Sequence, residues 1–401
     1  MPRWLESRAG SGRAPRSAHG GVPRLLAAAL LVGAVCTAVC TVPVAAQDDP
    51  PRPPLPAGSD PRHWEPYFDL GVRIFRQTPA GAYEAFTWAN RFDPTRAEPY
   101  FARYAAFFAK AKPEDVGAYF RGDESILRRP DILAADSMRL RALMRNPFVH
   151  RGLEILIFDR MPGSFADDRD TRAWIAYSNG EFPRAIDLLT RAIERGRGDV
   201  RWRRFDRAIA YVAMGDYRQA LADIRTLVDE LRAEDERGAL RFYRSKHFLL
   251  YMIGMLHTQL RDHAAARTAF QEALVEDAAF AYANAGLAAL SRIQRNNAQA
   301  ADEYALAVQL APDDGVLHQW YAQVLLDLNR FDEAEREVQA AIVREPWWPA
   351  PHDLLGRLSE KQGRPDLALE AFARYVELAP AADARARALK PRVDARRAPA
   401  P

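Results

Sequence analysis

Cysteine is nearly absent from this 401-residue sequence: Cys36 and Cys40 are the only two, and both lie within the first 46 residues. The rest of the chain therefore cannot form a disulfide framework or a cysteine metal site. The sequence also lacks a glycine-rich phosphate loop, a Gly-x-Ser-x-Gly elbow and a His-Glu-x-x-His helix. We therefore expect no cofactor, no metal and no catalytic residues, and we expect that the protein is not an enzyme.

Residues 1–46 have the layout of a secretory signal peptide. Five arginines precede an apolar run from Leu25 to Val42, and Val44 and Ala46 supply small side chains at the cleavage positions. The alternative is a retained membrane anchor, because about 18 apolar residues is the lower limit for spanning a bilayer. A valine before each cysteine argues against lipidation. We expect cleavage after Ala46 and export to the periplasm or the extracellular space.

The slightly basic balance of the whole chain, 56 basic against 53 acidic residues, is due to that leader. Removing residues 1–46 takes away five arginines and one glutamate, which leaves a formal balance of −1. A nucleic-acid-binding protein is expected to keep a basic surface. The sequence therefore predicts no nucleic-acid partner, and a membrane contact only if the leader stays uncut.

The segments at the two ends of the remaining chain are unlike the rest. Residues 47–62 are rich in proline, which prevents a helix, so we expect an extended linker. Residues 381–401 are rich in alanine and arginine, and we expect a polar capping helix that ends near Leu389, before Pro391, followed by a disordered tail.

A period of 34 residues organises the C-terminal half. Pro312, Pro346 and Pro380 are 34 residues apart, and each closes a segment with the same apolar layout. If each proline is numbered position 32, position 8 holds a small residue, position 20 holds alanine and position 24 holds a large apolar residue. They are Ala288, Ala322 and Gly356 at position 8, Ala300, Ala334 and Ala368 at position 20, and Tyr304, Val338 and Phe372 at position 24. Such a period predicts stacked helical repeats, with the small residues where two antiparallel helices cross.

The pattern resembles the tetratricopeptide repeat family, which implies an all-α, right-handed solenoid of helical hairpins. About five repeats are expected in residues 166–380. Residues 63–165 fit the pattern less well, and we expect a divergent, repeat-like helical region with Lys112 to Pro130 looped out between two helices.

Candidate metal or catalytic groups have simpler structural explanations. His247, His257 and His263 are separated by ten and six residues, whereas a zinc pair on one helix needs a spacing of three or four. The carboxylate clusters fall at helix starts or on solvated helices, where an acidic first turn complements the helix dipole.

The resemblance implies that positions 2, 5, 9 and 12 of each first helix line the inner wall. These positions are aromatic in the N-terminal half of the array and polar in the C-terminal half. They are Trp174, Tyr177, Trp202, Phe205, Phe248, Tyr251, Tyr282, Arg292, Gln319, Gln323, Asp353 and Arg357. Aromatic side chains are common at binding hot spots. We therefore expect an exposed aromatic patch at Trp202, Phe205, Phe248 and Tyr251. The alternative is that these four side chains pack in the core. The family's carboxylate-clamp residues are missing, so we expect no binding of a chaperone C-terminus.

These features predict a non-enzymatic scaffold or adaptor of the cell envelope that binds a peptide or protein in its concave groove. A membrane-tethered assembly subunit of an envelope complex is one alternative. An enzyme or small-ligand domain in residues 63–165, with the repeats as an appendage, is another.

Overall fold

The computed structural model describes residues 51–121, 123–148, 168–196, 200–236 and 245–397. The leader and its cleavage site therefore lie outside the described residues. Within the described ranges the chain forms nineteen α-helices and no strand, which confirms the all-α prediction. None of these helices is both long enough and apolar enough to cross a membrane.

The N-terminal part has six helices: α1 (Trp64–Ile74), α2 (Pro79–Phe92), α3 (Ala97–Lys110), α4 (Pro113–Arg121), α5 (Glu124–Leu127) and α6 (Pro130–Arg145). We call the described residues 51–121 and 123–148 the N-terminal unit. Helices α1 and α2 pack as one hairpin, and α3 pairs with α6 as a second. The segment between α3 and α6, expected as a loop, contains the short helices α4 and α5.

Six further hairpins follow. Their helices are α7 (Asp168–Ser178), α8 (Phe182–Glu194), α9 (Val200–Ala213), α10 (Tyr217–Glu236), α11 (Lys246–Gln259), α12 (His263–Glu276), α13 (Ala281–Ile293), α14 (Asn297–Leu310), α15 (Gly315–Asp327), α16 (Phe331–Arg344), α17 (Pro349–Lys361) and α18 (Pro365–Leu378). They pair in order, from α7 with α8 to α17 with α18. Each second helix also packs on the first helix of the next hairpin, as stacked repeats require.

A glycine facing a phenylalanine sets the closest crossing within a hairpin. A Cβ atom built on Gly254 would lie 2.4 Å from the Phe270 ring, and one on Gly356 would lie 2.3 Å from the Phe372 ring. Gly71 stands in the same relation to Phe86, at 2.4 Å. The α1/α2 hairpin therefore crosses in the same way as α11/α12 and α17/α18.

The turn inside each of the six hairpins from α7/α8 to α17/α18 contains one residue with a positive φ. Gly215 has φ +78°, but Arg261, Arg295 and Asn329 take the equivalent place with φ of 59°, 61° and 58°. Left-handed backbone is costly for residues with a Cβ, yet polar residues tolerate it as single positions. The turn is thus a fixed geometric feature that does not need glycine in every repeat.

The last helix, α19 (Ala384–Arg397), differs from the prediction. It does not end near Leu389 but continues through Pro391. Val393 is buried and packs against Ala368 and Phe372 of α18. Burial of this side chain offsets the backbone hydrogen bond that the proline removes.

The predicted linker makes contacts that its composition did not indicate. Residues 51–62 form no helix, as expected, but they are docked on the protein. The guanidinium of Arg52 lies 4.5 Å from the Trp88 ring and 5.3 Å from the Trp347 ring. An arginine beside two indole rings gains cation–π attraction, which helps to fix a segment that has no secondary structure of its own.

Candidate functional site

The structure separates the predicted inner-wall residues into three groups by their burial. Trp174, Phe205, Phe248, Tyr251, Tyr282 and Gln319 are buried, Tyr177, Trp202, Gln323, Asp353 and Arg357 are partly buried, and Arg292 is exposed. The expected exposed aromatic patch is therefore not present at Phe205, Phe248 and Tyr251. These three side chains belong to the largest hydrophobic core cluster.

The end of α6 covers part of this aromatic wall. The Tyr251 hydroxyl donates to the backbone carbonyl of Met144 at 3.1 Å. Met144 and Phe148 join the same core cluster as Tyr251. Burial raises the pKa of the Tyr251 hydroxyl well above its ordinary value, which shows how completely water is excluded here.

A buried ion pair lies next to this contact. Arg145 of α6 donates to the Asp314 carboxylate at 2.5 Å, and the two side chains are 2% and 5% exposed. Asp314 also caps α15 by accepting from the backbone N–H groups of Val316 and Leu317, and it accepts from the Tyr282 hydroxyl. Although burial raises its pKa, Arg145 and these hydrogen bonds hold the pKa of Asp314 below its ordinary value.

The N-terminal unit makes further contacts with the later repeats. Trp88 of α2 meets Trp347 edge to face, with ring centroids 5.2 Å apart. Farther along, the backbone N–H of Ala381 donates to the Asp60 carboxylate at 2.5 Å, and Arg62 donates to the Val376 carbonyl at 3.4 Å.

These contacts fall in register. We call residues 277–280, 311–314, 345–348 and 379–382, which connect one hairpin to the next, the loop edge of the array. The two parts of the chain make contact in opposite order. Met144, near the end of the N-terminal unit, contacts Tyr251, and Asp60, near the start of the unit, contacts Ala381 at the far end of the array. We call this contact the seam. The N-terminal unit thus runs antiparallel along the array and closes one side of its inner wall.

The Glu345 side chain lies beside the seam and is partly buried. Its Cγ would lie 2.7 Å from a Cβ built on Gly315, which places the side chain over the start of α15. Burial raises the pKa of Glu345 to about 7, although Arg141, Arg145 and Arg103 act in the opposite direction. Desolvation of this carboxyl acts against the attraction of the three cations.

The opposite side of the inner wall stays open and polar. Arg357 donates to the Gln323 side chain at 2.7 Å and to Asp353 at 3.0 Å, and Arg385 donates to Asp353 at 2.5 Å. These four residues lie on α15, α17 and α19, and we call them the polar ladder. Arg357 and Arg385 are 35% and 47% exposed, so a ligand could reach their guanidinium groups.

The three histidines singled out in the sequence do not form a metal site. His247 packs on Phe280, and His257 lies between Arg225 and Asp262. Among the described residues no group of three or more histidine, cysteine or acidic side chains could hold a metal ion.

Sequence reasoning missed the residues that build the seam: Arg145, Asp314, Glu345, Trp88 and Trp347. A repeat pattern describes contacts between neighbouring hairpins, and these residues join hairpins far apart in the chain. One available signal was the pair Trp347 and Trp348 in a repeat junction. The neighbouring junctions have small or acidic residues at the equivalent places.

Two family models describing the tetratricopeptide repeat match this chain, over residues 251–315 and 292–358. No curated protein matches it in sequence. Among solved structures, MamA is 17% identical and covers 43% of this chain and 93% of its own, with a TM-score of 0.37. MamA from Desulfovibrio magneticus RS-1 is 18% identical and covers 45% of this chain and 96% of its own, with a TM-score of 0.39. YrrB, described as a TPR protein with an unusual peptide-binding site, is 17% identical and covers 51% of this chain and 97% of its own, with a TM-score of 0.39.

Proposed function

Given that this chain is a tetratricopeptide repeat protein, with matches over residues 251–358 and hairpins of the same kind on both sides, we propose that it is a non-enzymatic scaffold of the cell envelope. It binds a protein or peptide partner along the open side of its inner wall. Export rests on the leader in residues 1–46, which lie outside the described residues.

The polar ladder is the observation that supports this proposal. Solenoids present a continuous concave surface because each repeat places the same helix position on the inside. Gln323 and Arg357 occupy the same position of consecutive repeats and touch each other, so they form a continuous row of donors and acceptors. An extended polypeptide offers backbone carbonyls and carboxylates at similar intervals. Such a row matches these groups better than it matches a compact metabolite.

The test is recovery of a partner on the purified chain from an envelope fraction, followed by mass spectrometry. We expect the double variant Gln323→Ala and Arg357→Ala to lose the partner. Arg330→Ala is the matched control, because Arg330 is an exposed arginine at a hairpin turn whose recorded ion pair, with Glu333, is local. Equal recovery of the partner on the double variant and on the control would show that the polar ladder does not bind it. Turnover of a metabolite by the purified monomer would overturn the proposed scaffold function.

A further inference from the structure

We propose that the aromatic surface at Trp88, Phe92 and Trp347 is a docking site for a proline-rich, arginine-containing segment of a partner protein. In the structure the chain's own residues 51–56 occupy this surface, and we call these residues the strap. The site shares no residue with the polar ladder, so this proposal goes beyond the proposed function and can fail while the ladder still binds.

Three aromatic rings from two distant parts of the chain meet at this site. Trp88 and Phe92 lie one turn apart on α2, and Trp347 lies in the loop between α16 and α17. The Trp88 ring meets the Trp347 ring edge to face, with centroids 5.2 Å apart, and its centroid is 6.0 Å from that of Phe92. The faces of aromatic rings carry partial negative charge, so a group of rings attracts a cation that reaches it.

Arg52 of the strap supplies that cation. Its guanidinium carbon lies 4.5 Å from the centre of the Trp88 ring, 5.2 Å from that of Phe92 and 5.3 Å from that of Trp347. All three distances are within the roughly 6 Å over which cation–π attraction acts. A planar guanidinium also stacks on ring faces, whereas a lysine ammonium is a compact and strongly hydrated charge. The rings therefore favour arginine.

Proline sets the shape of the rest of the strap. Its sequence is Pro-Arg-Pro-Pro-Leu-Pro, and it forms no helix or strand. Each proline has a fixed φ, and a residue before proline is held in extended backbone. Such a segment loses little conformational entropy when it docks, which is why aromatic grooves bind polyproline segments. Leu55 adds an apolar contact, because it packs against the cluster that contains Tyr67 and Trp88.

The strap is held less firmly than the chain that follows it. All six of its residues are exposed or partly buried, so none belongs to the buried core. A turn follows, in which the backbone N–H of Ser59 donates to the carbonyl of Pro56 at 3.1 Å and Gly58 has φ +84°. Beyond the turn, Asp60 accepts from a backbone N–H at the far end of the array. The strap can therefore leave the rings while this anchor and the seam stay in place.

The segment that fills the site in the free protein shows the chemistry that the site accepts. The strap is joined to α1 by a short link, so it returns to the rings at an effective concentration of about 1 mM. A partner's segment must compete with it, and the apparent dissociation constant rises with the fraction of chains whose site is covered. Weakening the strap should therefore tighten the binding of the partner's segment.

The experiment titrates a synthetic peptide with the sequence of the strap onto the fluorescently labelled chain and follows binding by microscale thermophoresis. We expect weak binding to the wild-type chain. The double variant Arg52→Ala and Leu55→Ala should bind the peptide roughly 10-fold more tightly, because its own strap covers the rings less. The matched control changes an exposed arginine and an exposed leucine of the N-terminal unit and should bind like the wild type. It is Arg128→Ala with Leu133→Ala.

Two further measurements test whether the peptide binds at the rings. Adding Trp347→Ala to the double variant should weaken binding roughly 10-fold, because a tryptophan at the centre of the contact is lost. A peptide with alanine in place of its arginine should also bind more weakly. The second comparison uses one and the same protein, so it does not depend on how Trp347→Ala folds.

Several outcomes would overturn the proposal. Binding that is undetectable in the double variant at peptide concentrations above about 1 mM would show that the rings accept no such segment. Equal affinity of the wild type and the double variant would show that the strap does not cover the place where the peptide binds. Equal affinity of the two peptides would refute recognition through arginine. Dimers of the wild-type chain that the double variant does not form would assign the site to the strap of a second copy instead of a partner.

Discussion

One added methyl group at Gly254 should strongly destabilise the array. A Cβ atom there would lie 2.4 Å from the Phe270 ring, far inside ordinary van der Waals contact. The ring cannot move away easily, because a Cβ on Gly286 of the next hairpin would also lie 2.8 Å from it. Phe270 is therefore packed closely against glycines of two hairpins.

The magnitude follows from overpacking. Forcing an extra carbon into a packed core costs roughly 1–3 kcal/mol, and the fixed position of Phe270 places Gly254→Ala at the upper end of that range. Gly254→Leu should cost more, since a branched side chain would separate α11 from α12. For a cooperative unit of 150–250 residues, 1 kcal/mol lowers the melting temperature by roughly 2–4 °C, so we expect a fall of roughly 6–12 °C for Gly254→Ala.

Gly215→Ala is the matched control, because it adds the same methyl group where nothing lies within 4 Å. Its cost arises from the positive φ alone, roughly 1 kcal/mol. Arg261 and Asn329 already adopt this conformation at the equivalent turns. Both variants are compared with the wild type by thermal circular dichroism. Equal shifts in melting temperature would show that the crossing of α11 and α12 does not limit the packing as argued here.

Three further outcomes are expected. N-terminal sequencing of the exported protein should begin at Gln47, and a chain that keeps its leader and sediments with membranes would contradict this. Replacing Phe205 and Tyr251 with serine should cost roughly 3–5 kcal/mol of stability for each truncation and lower the melting temperature strongly, because both side chains are buried. An unchanged melting temperature would mean that the two side chains line an open groove instead. Asp314→Ala should lower the free energy of unfolding in urea by roughly 3–5 kcal/mol, since it leaves Arg145 buried without its partner. The control Asp262→Ala, which removes an exposed helix cap, should lower it by about 1 kcal/mol. Similar losses in the two variants would mean that the seam contact of Asp314 does not contribute to stability.

The sequence was sufficient to predict the hairpins because their packing is local. Gly356, Ala368 and Phe372 contact one another within one period of the repeat, so their spacing alone indicates the crossing. The divergent α1/α2 hairpin could be found in the same way, through Gly71 and Phe86.

The exposure of the inner wall could not be predicted from the same pattern. Whether Tyr251 faces solvent depends on Met144, which is 107 residues away and belongs to a different hairpin. The polar ladder was partly foreseen, since Gln323, Asp353 and Arg357 were named from their repeat positions. Arg385 was not, because it lies on a capping helix beyond the last repeat.

The seam also has a consequence for how the chain is made. In an ordinary solenoid each repeat contacts only its neighbours, so folding can proceed from one end as the chain leaves the ribosome. Here Asp60 contacts Ala381, 321 residues later, so the surface that covers the first hairpins is synthesised last. Until then, side chains such as Trp88 and Phe92 lack their contacts with the array. Closing so long a loop raises the contact order and slows the last step of folding, in which the N-terminal unit docks on the array. We infer that the early hairpins form first and expose an aromatic surface during synthesis, which is the period when this chain is most prone to aggregate.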